Sequence, residues 1–212
     1  EGLQGDDVQL TPSEMQEFED FLETIHFPPN PFRNLDNSLP TSLPLPGHTT
    51  THTMDVPVGT PLPNGNARAG LNLYRDHDRR IDSGLVSCVS CHSLPSGNGP
   101  NVRLNGFTEE TIPDGPRGEK HLMLVSIDGS TNRSIKVAQL RNMHEKVGMN
   151  MLDTTSRAGF GFLHDGSVDT IERFLSEEAF NTATAQELAN LVALMLAFSG
   201  SDFPPDPNPP SL

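Results

Sequence analysis

Positive charge is scarce in this chain, and so are apolar side chains. Lysine and arginine together number 14 against 28 aspartates and glutamates, which gives a formal net charge of −14 over 212 residues. That imbalance argues against a surface for nucleic acid or anionic membrane and favours a basic partner. Apolar residues make up only 34% of the chain, and no apolar run approaches the ~20 residues that a transmembrane helix needs. We therefore expect no transmembrane segment and no nucleic-acid partner.

Cysteine is also nearly absent. The only two cysteines, Cys88 and Cys91, lie three positions apart in the stretch GLVSCVSCHSLPSG, residues 84–97. Two cysteines cannot build a disulfide framework. A disulfide between them would close a very small loop and gain little from loop entropy. The pair therefore predicts metal, redox or covalent-cofactor chemistry.

The histidine that follows the second cysteine completes a C-x-x-C-H pattern, which is typical of covalent haem attachment. Two residues between the thiols, on one helical turn, place both sulfurs along one porphyrin edge, where they add across the vinyl groups. The pattern thus predicts one haem c on Cys88 and Cys91, with His92 as the proximal iron ligand. A zinc site would need two further ligands, for which His48 and His52 offer only an i, i+4 pair in a proline-rich stretch. A thioredoxin-like dithiol would need a βαβ context, which these flanks lack.

The fold class we predict is all-α, with long loops and a short β piece. Capping boxes at Thr11 with Glu14 and at Thr184 with Glu187 mark the starts of an N-terminal and a C-terminal helix. Proline denies both helices and sheets an N–H group, so the stretch 28–63 is expected to be extended and either to link units or to wrap over one. Helices are predicted at residues 11–25, 66–76, 136–146, 167–180 and 184–200, and a strand and turn at 121–130.

Several of these features resemble a cytochrome c. Gly70 and Tyr74 in the helix before the haem motif are similar to the glycine and aromatic of the family's first helix, which pack against its last helix. Residues 186–198 resemble that last helix. The resemblance implies a cytochrome c domain over residues 64–200, preceded by an N-terminal helix and proline-rich extension at 1–63 and followed by a proline-rich tail at 201–212. The chain begins at Glu1 without a signal-like segment, which indicates a processed chain or a piece of a longer one.

A second resemblance is to the C-terminal haem domain of bacterial di-haem cytochrome c peroxidases and MauG-like proteins. It covers residues 137–175, and the segment PPNPFRNLD at 28–36 is similar to one that precedes the haem domain in large secreted cytochromes. Those peroxidases carry two haems and an axial methionine after the H-D-G motif, whereas this chain has one C-x-x-C-H and no methionine in 167–180. The matching residues are Leu140, Arg141, Asn142, Phe162, His164, Asp165 and Gly166.

The sixth iron ligand is sought among the methionines and histidines. Met149 and Met151 lie in a glycine-flanked loop before the last helix, and we favour Met149, with the alternative that both only cover the haem edge. Met15 and Met195 lie on helical stripes and are expected in the core. His144 and His164 are the bis-histidine alternatives. The candidates are thus Met149, then Met151, His144 and His164.

Two more residues are predicted to act near the haem without binding iron. The resemblance implies that His164 takes a position close to the haem, in a turn that leads into the next helix. Arg141 is the candidate for a haem propionate, because a guanidinium matches a carboxylate in a bidentate manner. A surface ion pair is the alternative for Arg141.

These inferences predict an electron-transfer protein rather than an enzyme. It would move single electrons between redox partners through one haem c, and its acidity favours a partner with a basic docking patch. A peroxidase-type enzyme with an open distal site is the alternative, and a haem module within a larger complex is a third. Because haem c is attached outside the cytoplasmic membrane, we expect a periplasmic, cell-surface or extracellular location. The oligomeric state is left open.

Overall fold

The structure is a computed structural model, which describes residues 9–25, 29–50, 55–94, 97, 102–105, 108–111, 123–125, 134–146, 161–162, 166–177 and 179–198. Within these residues the chain is dominated by helix and has little strand, which confirms the coarse prediction of class. The helices are α1 (Pro12–Glu23), α2 (Ala67–Arg75), α3 (Cys88–Cys91), α4 (Ile171–Phe174) and α5 (Ala185–Leu196), with a 3₁₀ turn at Met143–Glu145. The strands form two antiparallel pairs: β1 (Val102–Asn105) with β2 (Thr108–Thr111), and β3 (Met123–Val125) with β4 (Ser134–Lys136).

Helix α5 is the centre of the core. Nine of its twelve residues are buried, as expected of a helix that is apolar on all sides and surrounded by other elements. The Thr184 side chain accepts the N–H of Glu187 at 3.1 Å, which is the first half of the predicted capping box. The Glu187 carboxylate accepts the N–H of Ala183 at 2.9 Å instead of that of Thr184, so the second half is replaced by a bond one residue earlier. At the other end, the Asn30 side chain donates to the carbonyl of Leu196 at 2.9 Å and so satisfies a helix-end acceptor. Met195 is 6% exposed, which confirms its place in the core.

Helix α2 crosses α5 in direct backbone contact. A Cβ atom on Gly70 would lie only 2.1 Å from the carbonyl oxygen of Asn190, so this crossing requires glycine. The backbone N–H of Asn66, the residue that caps α2, also donates to the Asn190 side chain at 2.9 Å. The contact between Gly70 and the last helix, which the resemblance implies, is therefore present.

The proline-rich stretch before α2 packs over this core. Leu39, Leu45 and Leu62 are each less than 9% exposed and belong to the same apolar cluster as α5. Farther along the stretch, His48 Nδ1 lies 2.6 Å from a carboxylate oxygen of Glu172 in α4. Of the two expectations for this stretch, wrapping over a unit is the one that the described residues show.

The helix predicted over residues 136–146 is wrong. Its first residue ends strand β4, residues 137–140 have no regular structure, and only the 3₁₀ turn is helical. Asn142 adopts a left-handed conformation with φ of 55°, which interrupts a right-handed helix. Leu140 is buried even so, so the apolar spacing reflects burial of an irregular segment.

The helix predicted over residues 167–180 is confined to the four residues of α4. Thr170 caps its start by accepting the N–H of Arg173 at 3.3 Å. Beyond the turn that ends α4, Phe180 forms an isolated antiparallel bridge with Asp82, in the loop before the C-x-x-C-H motif. Backbone pairing with that loop takes the place of a longer helix.

Helix α1 forms with the predicted capping box, but it buries none of its residues. Met15 is 49% exposed, so its expected place in the core is wrong. The prediction of a strand within 121–130 is met by β3, whereas β1 and β2 were not predicted as strands. In the described part of the chain, no helix is long and apolar enough to cross a bilayer.

Candidate functional site

The two cysteines occupy the two ends of the single helical turn α3. Positions i and i+3 are neighbours on a helix surface, so this turn places both side chains on one side. No disulfide joins them. The backbone N–H of His92 donates to the carbonyl of Cys88 at 2.9 Å, which fixes the imidazole directly after the turn.

The His92 ring is held by the loop that follows the motif. Its Nδ1 lies 2.9 Å from the carbonyl oxygen of Gly97. Because a carbonyl can only accept, Nδ1 is assigned as the protonated nitrogen and Nε2 carries the lone pair. Burial lowers the pKa of His92, against the opposing effects of backbone hydrogen bonds to Gly97 and Ala138 and of the Asp82 carboxylate. The arrangement therefore presents a neutral, oriented imidazole, the form that binds metals.

Gly97 is the residue that brings this carbonyl close to the ring. It is buried and has φ of +67°, a conformation that L side chains rarely adopt. A Cβ atom there would lie 2.8 Å from Cβ of Leu140 and 2.9 Å from Cζ of Phe198. Gly97 thus joins the motif to the segment before the 3₁₀ turn and to the end of α5.

Helix α2 anchors the motif through its aromatic residue. The Tyr74 hydroxyl donates to the carbonyl oxygen of His92. The Tyr74 side chain is fully buried, and its ring is tilted against Phe198 with centroids 6.0 Å apart. Burial, more than the nearby cysteines, raises the pKa of Tyr74 well above its usual value, so the hydroxyl stays a donor. The α2–α5 crossing therefore also positions the backbone of the candidate ligand.

Two buried serines, which the sequence reasoning missed, hold the helical turn from within. Ser87 and Ser90 are each 1% exposed, and their hydroxyl oxygens lie 2.9 Å apart. Ser87 also lies 3.2 Å from Nδ1 of His77, in the loop after α2. The signal for these residues in the sequence was the repeated V-S-C pattern, in which each serine immediately precedes a cysteine.

The surroundings of the first thiol disfavour its ionisation. Burial, followed by the negative charge of Asp82, raises the pKa of Cys88 to about 12. A redox-active dithiol instead has a lowered thiol pKa that populates the thiolate. This environment argues against the dithiol interpretation of the motif.

The remaining predicted residues are only partly described. Arg141 is half-buried and follows Leu140, the residue in contact with Gly97. His144 lies in the 3₁₀ turn, with its ring 5.8 Å from that of Phe32. The predictions for Met149, Met151 and His164 fall outside the described residues.

Among the residues that the structure describes, no group of three or more His, Cys, Asp or Glu side chains converges as a set of metal ligands. A tetrahedral zinc site needs such convergence, whereas haem attachment places two sulfurs at a ring edge and an imidazole beneath the iron. Comparisons with protein-family models, curated proteins and solved structures returned no match.

Proposed function

We propose that this chain is a c-type cytochrome with a single haem, which transfers electrons one at a time between partners outside the cytoplasm. The observation that carries the proposal is the geometry of the motif. Cys88 and Cys91 end one helical turn, and His92 follows with its Nδ1 hydrogen bonded to the Gly97 carbonyl. Those features together suit a porphyrin edge and an axial imidazole better than a dithiol or a zinc site.

The residues present fit a haem. Cys88 and Cys91 would hold it as thioethers, and Nε2 of His92 would bind the iron. When bound, the haem supplies a one-electron redox couple. The chain's own residues hold the imidazole in one tautomer through Gly97 and keep its backbone fixed through Tyr74. Buried apolar side chains, such as Leu140, lie near that glycine on this side of the site.

The crossing of α2 and α5 supports a cytochrome c fold for this part of the chain. The Gly70 contact and the Tyr74 ring lie where the resemblance to the family implies them. The resemblance of L-R-N and F-x-H-D-G to motifs of the di-haem peroxidases supports a haem-proximal place for Arg141 and His164. We propose that Arg141 pairs with a propionate and that His164 lies near the haem without binding iron.

The identity of the distal iron ligand distinguishes an electron carrier from an enzyme. We propose Met149 as that ligand, which predicts low-spin iron in both oxidation states and a sulfur-to-iron band at the red end of the oxidised spectrum. Met149→Ala should remove the band, lower the reduction potential and open the iron to cyanide, whereas Met151→Ala should leave all three unchanged. High-spin, open iron in the unmodified protein would contradict electron transfer and point to a peroxide-reacting haem enzyme.

The acidic surface supports a basic redox partner. With a formal charge of −14, docking to such a partner should be fast at low salt and slow as salt screens the attraction. The attachment chemistry supports a periplasmic, cell-surface or extracellular location, because haem c is added outside the cytoplasmic membrane.

A further inference from the structure

Helix α1 is strongly specified by its sequence, and its apolar face is exposed. The Thr11 hydroxyl accepts the N–H of Glu14 at 3.3 Å, and the Glu14 carboxylate accepts the N–H of Thr11 at 2.8 Å. At twelve residues, however, such a helix is marginal in water without a surface to pack on. The exposed fractions of its apolar stripe are 49% for Met15, 52% for Phe18 and 48% for Leu22, and Ile25, two residues beyond the end of the helix, is 57% exposed.

The spacing of this stripe is that of a docking helix. Met15, Phe18, Leu22 and Ile25 follow one another at intervals of three, four and three residues, which is the pattern by which an amphipathic helix fills an apolar groove. Phe21, one turn after Phe18, is 59% exposed and widens this face, and Leu10, 38% exposed, precedes the helix. Leu35 and Val58 are also exposed, but they are isolated in loops. The α1 stripe is therefore a continuous surface rather than scattered apolar exposure.

The charge on the rest of α1 indicates which kind of surface can pack against its apolar stripe. The helix carries five carboxylates, and residues 9–25 contain no lysine, arginine or histidine; the five are Glu14, Glu17, Glu19, Asp20 and Glu23. Pairing with α1 of a second copy would bring ten carboxylates together without a base, in a chain that is already at −14. An anionic membrane surface would repel the helix for the same reason.

We infer that α1 docks into an apolar groove on another protein and that lysine and arginine side chains rim this groove. The apolar stripe would supply the buried contacts, with Phe18 at its centre. The five carboxylates would face the basic rim and set orientation and association rate. This inference does not depend on the haem, and it assigns a docking role to a part of the chain outside the proposed cytochrome domain.

The experiment starts from the full chain with a photo-crosslinking benzoyl-phenylalanine at Phe18, expressed in the cells that make the protein. The captured protein is then purified, and its Kd for the full chain is measured at two salt concentrations. We expect the crosslinked peptide to contain apolar residues flanked by lysine or arginine. Phe18→Ser should weaken binding about tenfold or more, as expected of a central anchor. Glu17→Gln with Asp20→Asn, or added salt, should weaken it severalfold.

The control is Leu35→Ser, the same kind of apolar-to-serine change on an exposed loop, which should leave the Kd unchanged. Because α1 buries no residue, the α1 variants should keep the far-UV circular dichroism and the thermal midpoint of the parent. A crosslink only to a second copy of this chain, only to lipid, or to nothing would overturn the inference. The inference would also be overturned if Phe18→Ser left the Kd of the captured protein unchanged. The same holds if Phe18→Ser raised the Kd but the charge variants and added salt did not.

Discussion

Gly70→Ala tests the helix crossing on which the site depends. A methyl group at this position would lie 2.1 Å from the carbonyl oxygen of Asn190 and 3.0 Å from Cβ of Leu194. Ordinary contact begins near 3.4 Å, so α2 and α5 would have to separate by about 1 Å, which forfeits a quarter to a half of each dispersion contact across the gap. The nearest atoms to the added methyl group are backbone atoms of Asn190, which cannot move aside as the end of a flexible side chain can.

The expected loss of stability can be estimated from two opposing effects. Overpacking between fixed elements costs about 3 kcal/mol at the upper end of its usual range, while replacing a helical glycine by alanine returns about 1 kcal/mol. The free energy of unfolding should therefore fall by about 2 kcal/mol. For a chain of this size that corresponds to a decrease of about 4–8 °C in Tm.

Urea and thermal unfolding followed by far-UV circular dichroism would measure this change. Asn72→Ala is the matched control, because Asn72 is exposed on the same helix and alanine there should raise stability by a few tenths of a kcal/mol. If Gly70→Ala instead stabilised the protein by about 1 kcal/mol, as at an open helical glycine, the close crossing of α2 and α5 would be refuted.

Two further substitutions test contacts that join separate parts of the chain. His48→Ala should lower the free energy of unfolding by about 2 kcal/mol, because it removes the 2.6 Å hydrogen-bond contact between Nδ1 and the buried Glu172 carboxylate. His48→Asn, which keeps a donor near the position of Nδ1, should lose less in the same urea titration, and equal losses would contradict the assignment. Tyr74→Phe should cost about 1 kcal/mol by removing the hydrogen bond to the His92 carbonyl, and an unchanged urea midpoint would show that this bond does not hold the motif.

Local signals in the sequence predict local features well. The capping box at Thr11 and the side-chain cap at Thr184 depend only on neighbouring residues, and the structure contains both. The V-S-C-V-S-C-H run likewise predicts a helical turn followed by an oriented histidine. Such features can be predicted because the chemistry is complete within a few residues of the sequence.

Features that depend on distant partners were not predictable in the same way. Leu140 is buried because Gly97 lies against it, not because it lies on a helix. Met15 belongs to an amphipathic stripe that was predicted correctly, but it is exposed. The periodicity of the stripe indicates an apolar face and does not identify the element that packs against that face. The carbonyl of Gly97 as partner of His92 depends on a positive φ that no residue pattern specified.

Intact mass under denaturing conditions shows whether the haem is covalently attached to the chain. If Cys88 and Cys91 are thioethers, the unfolded polypeptide should exceed the mass of the apo chain by one haem and should keep that haem through extraction with acidic organic solvent. Cys88→Ser with Cys91→Ser should lose the added mass while the polypeptide remains intact. A haem that extracts fully from the unmodified protein, or a polypeptide isolated from its own cells at the apo mass, would contradict the account.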